Sequence, residues 1–300
     1  MVKAEKVKIW AAQIRAPFLL LAVMLVLIGG AAAYRDGVFD VLRFLLAMFG
    51  TIFAHASVNL WNELSDYKTK IDEHTPRTPF SGGSGNLQAG MTSPEGVRMA
   101  AIGALLAALA CGLYLTFVSG PLLLVFVVAG GISAVFYTSH MARFGLGELA
   151  AGLCLGSFVV LGTYFCMAGE LTWPVVWLSI PPGILTTLLL LLNEFPDADA
   201  DRRGGRRHLV ILLGRRKAAV LYTAGLAAVY AVVGAGVAFE WFPLAALLAY
   251  LTLPLAIRAA IGALRDGAGN DLSRLVPAQA ANVGVVLVTD LLLAVAYFIA

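Results

Sequence analysis

The chain has 300 residues, 60% hydrophobic and 13% charged, with a formal net charge of +3. A soluble domain carries about 25% charged residues, and the mean hydropathy here is +0.86, so a soluble globular fold is excluded. The composition reads as one polytopic membrane domain over residues 1–300, with the lipid bilayer as its surroundings and no nucleic-acid partner expected.

The N-terminal stretch, Met1 to Arg15, is basic and mildly amphipathic. No Ala-x-Ala cleavage site follows the first apolar run, which is therefore read as a retained helix. A spanning helix needs about 20 mostly apolar residues. The predicted spans are 17–34, 38–61, 97–118, 121–138, 147–168, 173–194, 217–237, 243–264 and 279–299. The sixth carries Pro181-Pro182-Gly183, a tolerable kink where neighbouring helices satisfy the freed backbone groups. The expected fold class is all-α, with nine transmembrane helices around a central cavity open to the cytoplasm. Cys111, Cys154 and Cys166 fall in apolar runs with no metal-ligand spacing and read as small buried hydrophobes.

Charge placement orients the bundle. Of the 21 Lys and Arg, only Arg35 and Arg43 fall on one side of these spans; the other 19 fall on the opposite side. The positive-inside rule makes the crowded side cytoplasmic. It places the N-terminus inside, the C-terminus outside, and the chain in the cytoplasmic membrane. The two long loops, 62–96 and 195–216, lie on the cytoplasmic side, where function concentrates.

Each of these loops opens on an acidic cluster. The first begins Asn62-Glu63-Leu64-Ser65-Asp66 and continues to Asp72; the second begins Asn193-Glu194-Phe195-Pro196-Asp197 and continues to Asp201. Both contain Asn-Glu and place an Asp four residues after the Asn. The motif-bearing helices are four apart, which hints at an internal duplication. His55, Asn59, Asn62 and Asp66 are spaced to share one helix face, and a polar stripe on a membrane helix faces the bundle interior or a water-filled cavity. Two carboxylate-tipped stripes facing one cavity suit Mg²⁺, which takes one or two carboxylates plus substrate phosphate oxygens. Cations flank both motifs: Lys68, Lys70 and Arg77 after the first; Arg202, Arg203, Arg206 and Arg207 after the second. Such groups ligate phosphate oxygens and stabilise a departing diphosphate. Arg215, Arg216 and Lys217 read as topology determinants. Residues 78–86 form a Gly-rich loop that lacks the ending of a Walker A loop; its amides, with Ser81, are candidates to line a phosphate. The pattern points to an enzyme acting on an isoprenoid diphosphate at a membrane.

At these motifs the chain resembles the UbiA family of intramembrane prenyltransferases. That family carries two Asp-rich motifs at the cytoplasmic ends of the second and sixth of nine helices. Its commoner first motif reads Asn-Asp-xx-Asp-xxx-Asp. This chain departs from it, with Glu63 after Asn62 and Lys70 where the last Asp would fall. The six-residue step from Asp66 to Asp72, followed by the Gly-rich loop, is similar to the branch that prenylates 1,4-dihydroxy-2-naphthoate in menaquinone synthesis. Asn193 to Asp201, with Arg206 and Arg207 and Leu212-Leu213-Gly214 after them, fits the second motif. Tyr137 and Gly145 to Glu148 resemble the connection between the fourth and fifth helices.

The resemblance implies a Mg²⁺-dependent reaction in which diphosphate leaves an allylic chain and an aromatic acceptor attacks the cation-like carbon. On this reading Asp66, Asp72, Asp197 and Asp201 hold Mg²⁺, and Asn62 and Asn193 orient diphosphate or metal-bound water. Lys68, Arg77, Arg206 and Arg207 neutralise phosphate. Tyr137, then Trp61 and Phe80, are candidates to stabilise the cation by cation–π contact. His55 lies deeper on the same face, where acceptor positioning competes with a core hydrogen bond. For Glu148, helix capping and a site role are both open, and Asp290 reads as a structural intramembrane Asp. Rival readings are transfer to a 4-hydroxybenzoate-like ring, a haem or a glycerol-phosphate lipid, and a cation-coupled transporter. A transporter places its carboxylates near the bilayer midplane, whereas these sit at one face. The Asp-Gly-xx-Ala-Arg opening of CDP-alcohol phosphotransferases is absent.

Overall fold

The computed structural model describes residues 3–71, 78, 80, 82–137, 140–267, 269 and 272–300. Among them the regular structure is helical throughout. A short amphipathic helix, α1 (Lys3–Gln13), precedes the bundle. Eight helices are long and apolar enough to cross a membrane: α2 (Ala16–Arg35), α3 (Val41–Thr69), α4 (Pro94–Ser119), α6 (Gly147–Ala168), α7 (Trp173–Arg203), α9 (Arg215–Ala238), α10 (Leu244–Asp266) and α11 (Ser273–Phe298).

The remaining predicted span, 121–138, contains a shorter apolar helix, α5 (Leu123–Phe136). Its 14 residues reach about 21 Å at the helical rise, less than a hydrocarbon core. Gly120, at φ 117°, ends α4 and turns the chain into Pro121 and α5. A five-residue helix, α8 (Leu209–Leu213), lies between α7 and α9.

Local chemistry fixes the ends that matter. The Asp40 carboxylate accepts the Arg43 N–H at 2.8 Å and caps α3. At the other end Lys70 adopts a left-handed conformation, φ 57°, and stops α3 one turn beyond Asp66. The Ser93 hydroxyl caps α4, accepting the Gly96 N–H at 3.1 Å, with Pro94 in the first turn, where its missing N–H is harmless. In α6, Ala151–Ser157 winds as a π-helical stretch. There α6 comes so close to α7 that a Cβ on Gly156 would lie 2.6 Å from the Gly183 Cα. Glycine is required at that crossing.

The main core is built from α2, α6, α7, α9, α10 and α11, with Leu25, Leu178, Leu191, Tyr222 and Leu293 fully buried. Phe117, Leu106 and Leu251 are instead exposed apolar residues on the bundle surface, as lipid contact demands.

Candidate active site

One cavity of about 360 Å³ runs into the bundle. His55, Asn59, Asn62 and Asp66 all line it, as their spacing on α3 predicts. Asn193, Glu194, Asp197 and Asp201 approach it from α7. Most of the remaining wall is apolar, with Leu46, Leu115, Leu123, Phe126 and Phe158 bulky and Gly50, Gly112, Gly130 and Gly162 leaving room. The cavity therefore has a polar region and a long apolar one. Cys111 and Cys154 are half-buried on its wall, while Cys166 is buried in the core.

Arg206 joins the two motifs. Gly205, at φ 82°, reverses the chain after α7, and the Arg206 N–H donates to the Asp201 carbonyl at 2.9 Å. Its guanidinium then folds back over the acids. Nη1 donates to Asp201 Oδ1 at 2.9 Å, and Nη2 donates to Asn62 Oδ1 at 3.3 Å and to Asp66 Oδ1. Burial opposes the Arg206 charge, but Asp66 and Asp201 outweigh it and raise its pKa above the ordinary arginine value. Arg206 is thus charged at every working pH.

A second network holds the mouth of the site. Glu63 is buried at 1% exposure. It accepts from Gln13 Nε2 at 3.1 Å, from the Ser84 N–H at 2.9 Å and from Ser84 Oγ at 2.6 Å. Arg15 Nη2 donates to the same carboxylate at 3.4 Å. Asn86 Nδ2 donates to the Ile9 carbonyl at 2.9 Å. One carboxylate thereby ties α1, α3 and the Gly-rich loop together. Arg15, Phe80, Gly82 and Gly83 all reach the cavity wall.

The other expected residues separate clearly. Tyr137 caps the C-terminal end of α5 and lines the cavity. Trp61 packs instead against a small cluster with Leu60, Leu64 and Leu87. Lys68 and Arg207 are exposed and are not part of the cavity wall. Asp72, Arg77 and Ser81 lie outside the described residues. Glu148 is buried and accepts the Leu209 N–H at 2.5 Å, so it caps α8 in addition to opening α6. Asp290 is buried within α11, away from the cavity wall. Arg15, Glu63, Glu194 and His208 are site residues that motif reading did not select. Arg15 carries no local signal, because its partner Glu63 is 48 residues away.

The donor chemistry fits a hard divalent cation. Asn193 Oδ1 and Asp197 Oδ1 are buried oxygens without a hydrogen-bond partner. Asp66 and Asp201 present carboxylates to the same space. Buried oxygens left without a donor, as on Asn193 and Asp197, are what Mg²⁺ takes. Asp66, Asp197 and Asp201 could hold it, with Asn62 and Asn193 beside them on the wall.

Membrane-length helices around an apolar cavity, with carboxylates and an arginine gathered at its polar region, define an integral membrane enzyme of polar-headed, long-tailed substrates. Comparison with known proteins gives the family. Residues 22–283 match the profile of the UbiA prenyltransferase family. The chain belongs to that family and is a prenyltransferase. It is 30% identical over 248 residues to the 1,4-dihydroxy-2-naphthoate octaprenyltransferase of Bacillus subtilis, covering 80% of this chain and 77% of that protein. The fold is shared with a UbiA homologue from Aeropyrum pernix, at TM-score 0.68 and 18% identity, over 91% of this chain and 98% of that one. It is also shared with a UbiA homologue from Archaeoglobus fulgidus solved with GPP and Mg²⁺, at TM-score 0.61 and 12% identity, over 97% and 100% of the two chains.

Proposed function

We propose that this membrane domain transfers a polyprenyl chain from its diphosphate to 1,4-dihydroxy-2-naphthoate, with Mg²⁺, at the cytoplasmic face of the cell membrane. The observation that carries the reading is Arg206 bridging Asp66 and Asp201 beside the unpartnered oxygens of Asn193 and Asp197, on the wall of an otherwise apolar cavity. The acceptor is supported by the similarity to the 1,4-dihydroxy-2-naphthoate octaprenyltransferase of Bacillus subtilis and by the Asp66-to-Asp72 spacing.

Bound Mg²⁺ supplies charge neutralisation for the leaving diphosphate. Asp66, Asp197 and Asp201 hold it, with Asp72 the further carboxylate of the first motif. Asn62 and Asn193 orient the phosphate oxygens. Arg206 is the cation most directly placed on the leaving group, and Arg15 reaches the same wall. Arg77 just before the Gly-rich segment and Ser81 within it are further phosphate contacts, while Lys68 and Arg207, being exposed, act at the entrance. The apolar wall keeps water from the allylic carbon once the C–O bond breaks. Tyr137 and Phe80 line that cavity and are the aromatic residues to stabilise a cation by a ring face. His55, about three helical turns before Asp66 on α3 and also on the cavity wall, is a group that positions the acceptor ring. The naphthoate carbon that bears the carboxylate forms the new C–C bond, and CO₂ departs with its bonding electrons left to restore aromaticity.

The test is an acceptor panel. Purified protein with an allylic prenyl diphosphate and Mg²⁺ should prenylate 1,4-dihydroxy-2-naphthoate and release CO₂. Prenylation of 4-hydroxybenzoate or a glycerol phosphate, with none of the naphthoate, refutes the acceptor and leaves prenyl transfer standing.

A further inference from the structure

We propose that Glu148, Glu194 and His208 form a second metal site, selective for a transition-metal dication over Mg²⁺, beside the diphosphate-binding acids. One ligand atom from each residue lies within 4.8 Å of the other two. They come from three places in the chain: the start of α6, the middle of α7 and the residue before α8.

The burial of these groups is what calls for a cation. Glu148 is 0% and His208 1% exposed. Glu148 Oε2, Glu194 Oε2 and both His208 ring nitrogens have no hydrogen-bond partner. Neighbouring carboxylates removed from water are neutralised by a proton or by a compensating cation, and an imidazole beside them favours a metal ion as that cation. Arg206 directs its guanidinium to Asp66, Asp201 and Asn62 instead.

Donor type then sets the metal. Mg²⁺ prefers oxygen donors and its own water shell, whereas an imidazole with two carboxylates suits Zn²⁺, Mn²⁺ or Fe²⁺. The outer contacts match what metal sites use to orient their ligands. Histidine ligands usually turn their second nitrogen to a carboxylate. Here His208 Nδ1 faces Glu194 Oε2 at 3.6 Å, and Nε2 faces Asp201 Oδ2 at 3.3 Å. Glu148 is likewise fixed, its other oxygen accepting the Leu209 N–H at 2.5 Å. Glu194 and His208 reach the cavity wall, which gives an ion a path in from the cavity.

A metal on Nδ1 fixes the proton on Nε2, so that His208 donates to Asp201 and sets the orientation of that carboxylate. Metal uptake stands by itself; this positioning effect rests on the proposed function.

The experiment uses the full chain in detergent, stripped with chelator and titrated with Co²⁺ under millimolar Mg²⁺. Absorption in the d–d region and elemental analysis report binding. One Co²⁺ per chain is expected. His208→Ala and Glu148→Gln should each weaken it more than about 100-fold, beyond the loss typical of outer-shell changes. Asp66→Asn and Asp197→Asn should retain it. Circular dichroism checks folding, and Glu148→Gln keeps both side-chain shape and the acceptor for Leu209. A folded wild-type protein that takes up no Co²⁺, as a proton shared between Glu148 and Glu194 would produce, overturns the site. So does uptake unchanged in both variants, or lost in Asp66→Asn. Prenyl transfer that persists without Co²⁺ uptake defeats this site alone. Uptake with no prenyl transfer under any acceptor defeats the proposed function alone.

Discussion

The Arg206 guanidinium donates to the Asp66 carboxylate across 140 residues of chain, and this contact locks the ends of α3 and α7 together. Arg206 also pairs with Asp201 at 2.9 Å. Its side chain is 14% exposed, and those of Asp66 and Asp201 are 5% and 3%. Removing one partner of a buried pair costs about 3–5 kcal/mol, because the other charge is left uncompensated. Arg206→Ala should therefore lower thermal stability without Mg²⁺ and recover part of it when Mg²⁺ is added. A melting temperature equal to wild type in both conditions would show that the bridge carries no weight.

Glu63 makes a second prediction. Its carboxylate receives four donors from Gln13, Arg15 and Ser84. Glu63→Ala should release the Gly-rich loop and the α1 junction, raising KM for prenyl diphosphate about 10-fold or more, as loss of about 1.5–3 kcal/mol of charge-assisted hydrogen bonding implies. Glu63→Gln keeps an acceptor oxygen and should lie between. Kinetics of the three proteins with a single prenyl donor decide it; an unchanged KM in Glu63→Ala contradicts the clamp.

A third prediction concerns chain length. Gly130 lines the cavity, and a Cβ there would meet nothing within 4 Å. Gly130→Leu should fold and fill apolar space. Turnover should shift toward shorter prenyl diphosphates. Retention of the wild-type preference across a C10-to-C40 donor series would place the tail elsewhere.

Much of this was legible in the sequence, and the residues show why the rest was not. Apolar runs marked eight of the nine predicted spans at full length, because a bilayer demands length and composition alone. The remaining span, 121–138, is helical over Leu123–Phe136, because hydropathy marks an apolar run and not the residues at which its helix starts and stops. His55, Asn59, Asn62 and Asp66 were legible as one face from helical period. The same period puts Lys68 roughly 200° round the helix from Asp66, which is why it is exposed although it adjoins the motif. Arg15 and Glu148 act through contacts made only on folding, Arg15 with Glu63 and Glu148 with Leu209, 48 and 61 residues away. No local pattern encodes such pairs. Glu63 read as a departure from the family motif, and the structure gives it a task in holding the loop.

Tyr137 provides a fourth prediction. It lines the cavity from the C-terminal end of α5. If its ring stabilises the developing cation, Tyr137→Phe keeps a π face and should retain most of kcat. Tyr137→Leu should lose about 10-fold, the worth of a desolvated cation–π contact of about 1–2 kcal/mol. Equal kcat in the two variants would remove the ring from the chemistry.

The most direct measurement is release of diphosphate from an allylic prenyl diphosphate in the presence of 1,4-dihydroxy-2-naphthoate, with wild-type protein and with Asp66→Asn and Asp197→Asn. Wild type should release diphosphate with Mg²⁺ and stop in excess chelator. Each variant should fall at least about 100-fold, the scale of losing one preorganised electrostatic group, while still inserting in the membrane. Full turnover in chelator, or wild-type rates in either variant, would contradict the assignment of these two carboxylate clusters to the leaving group.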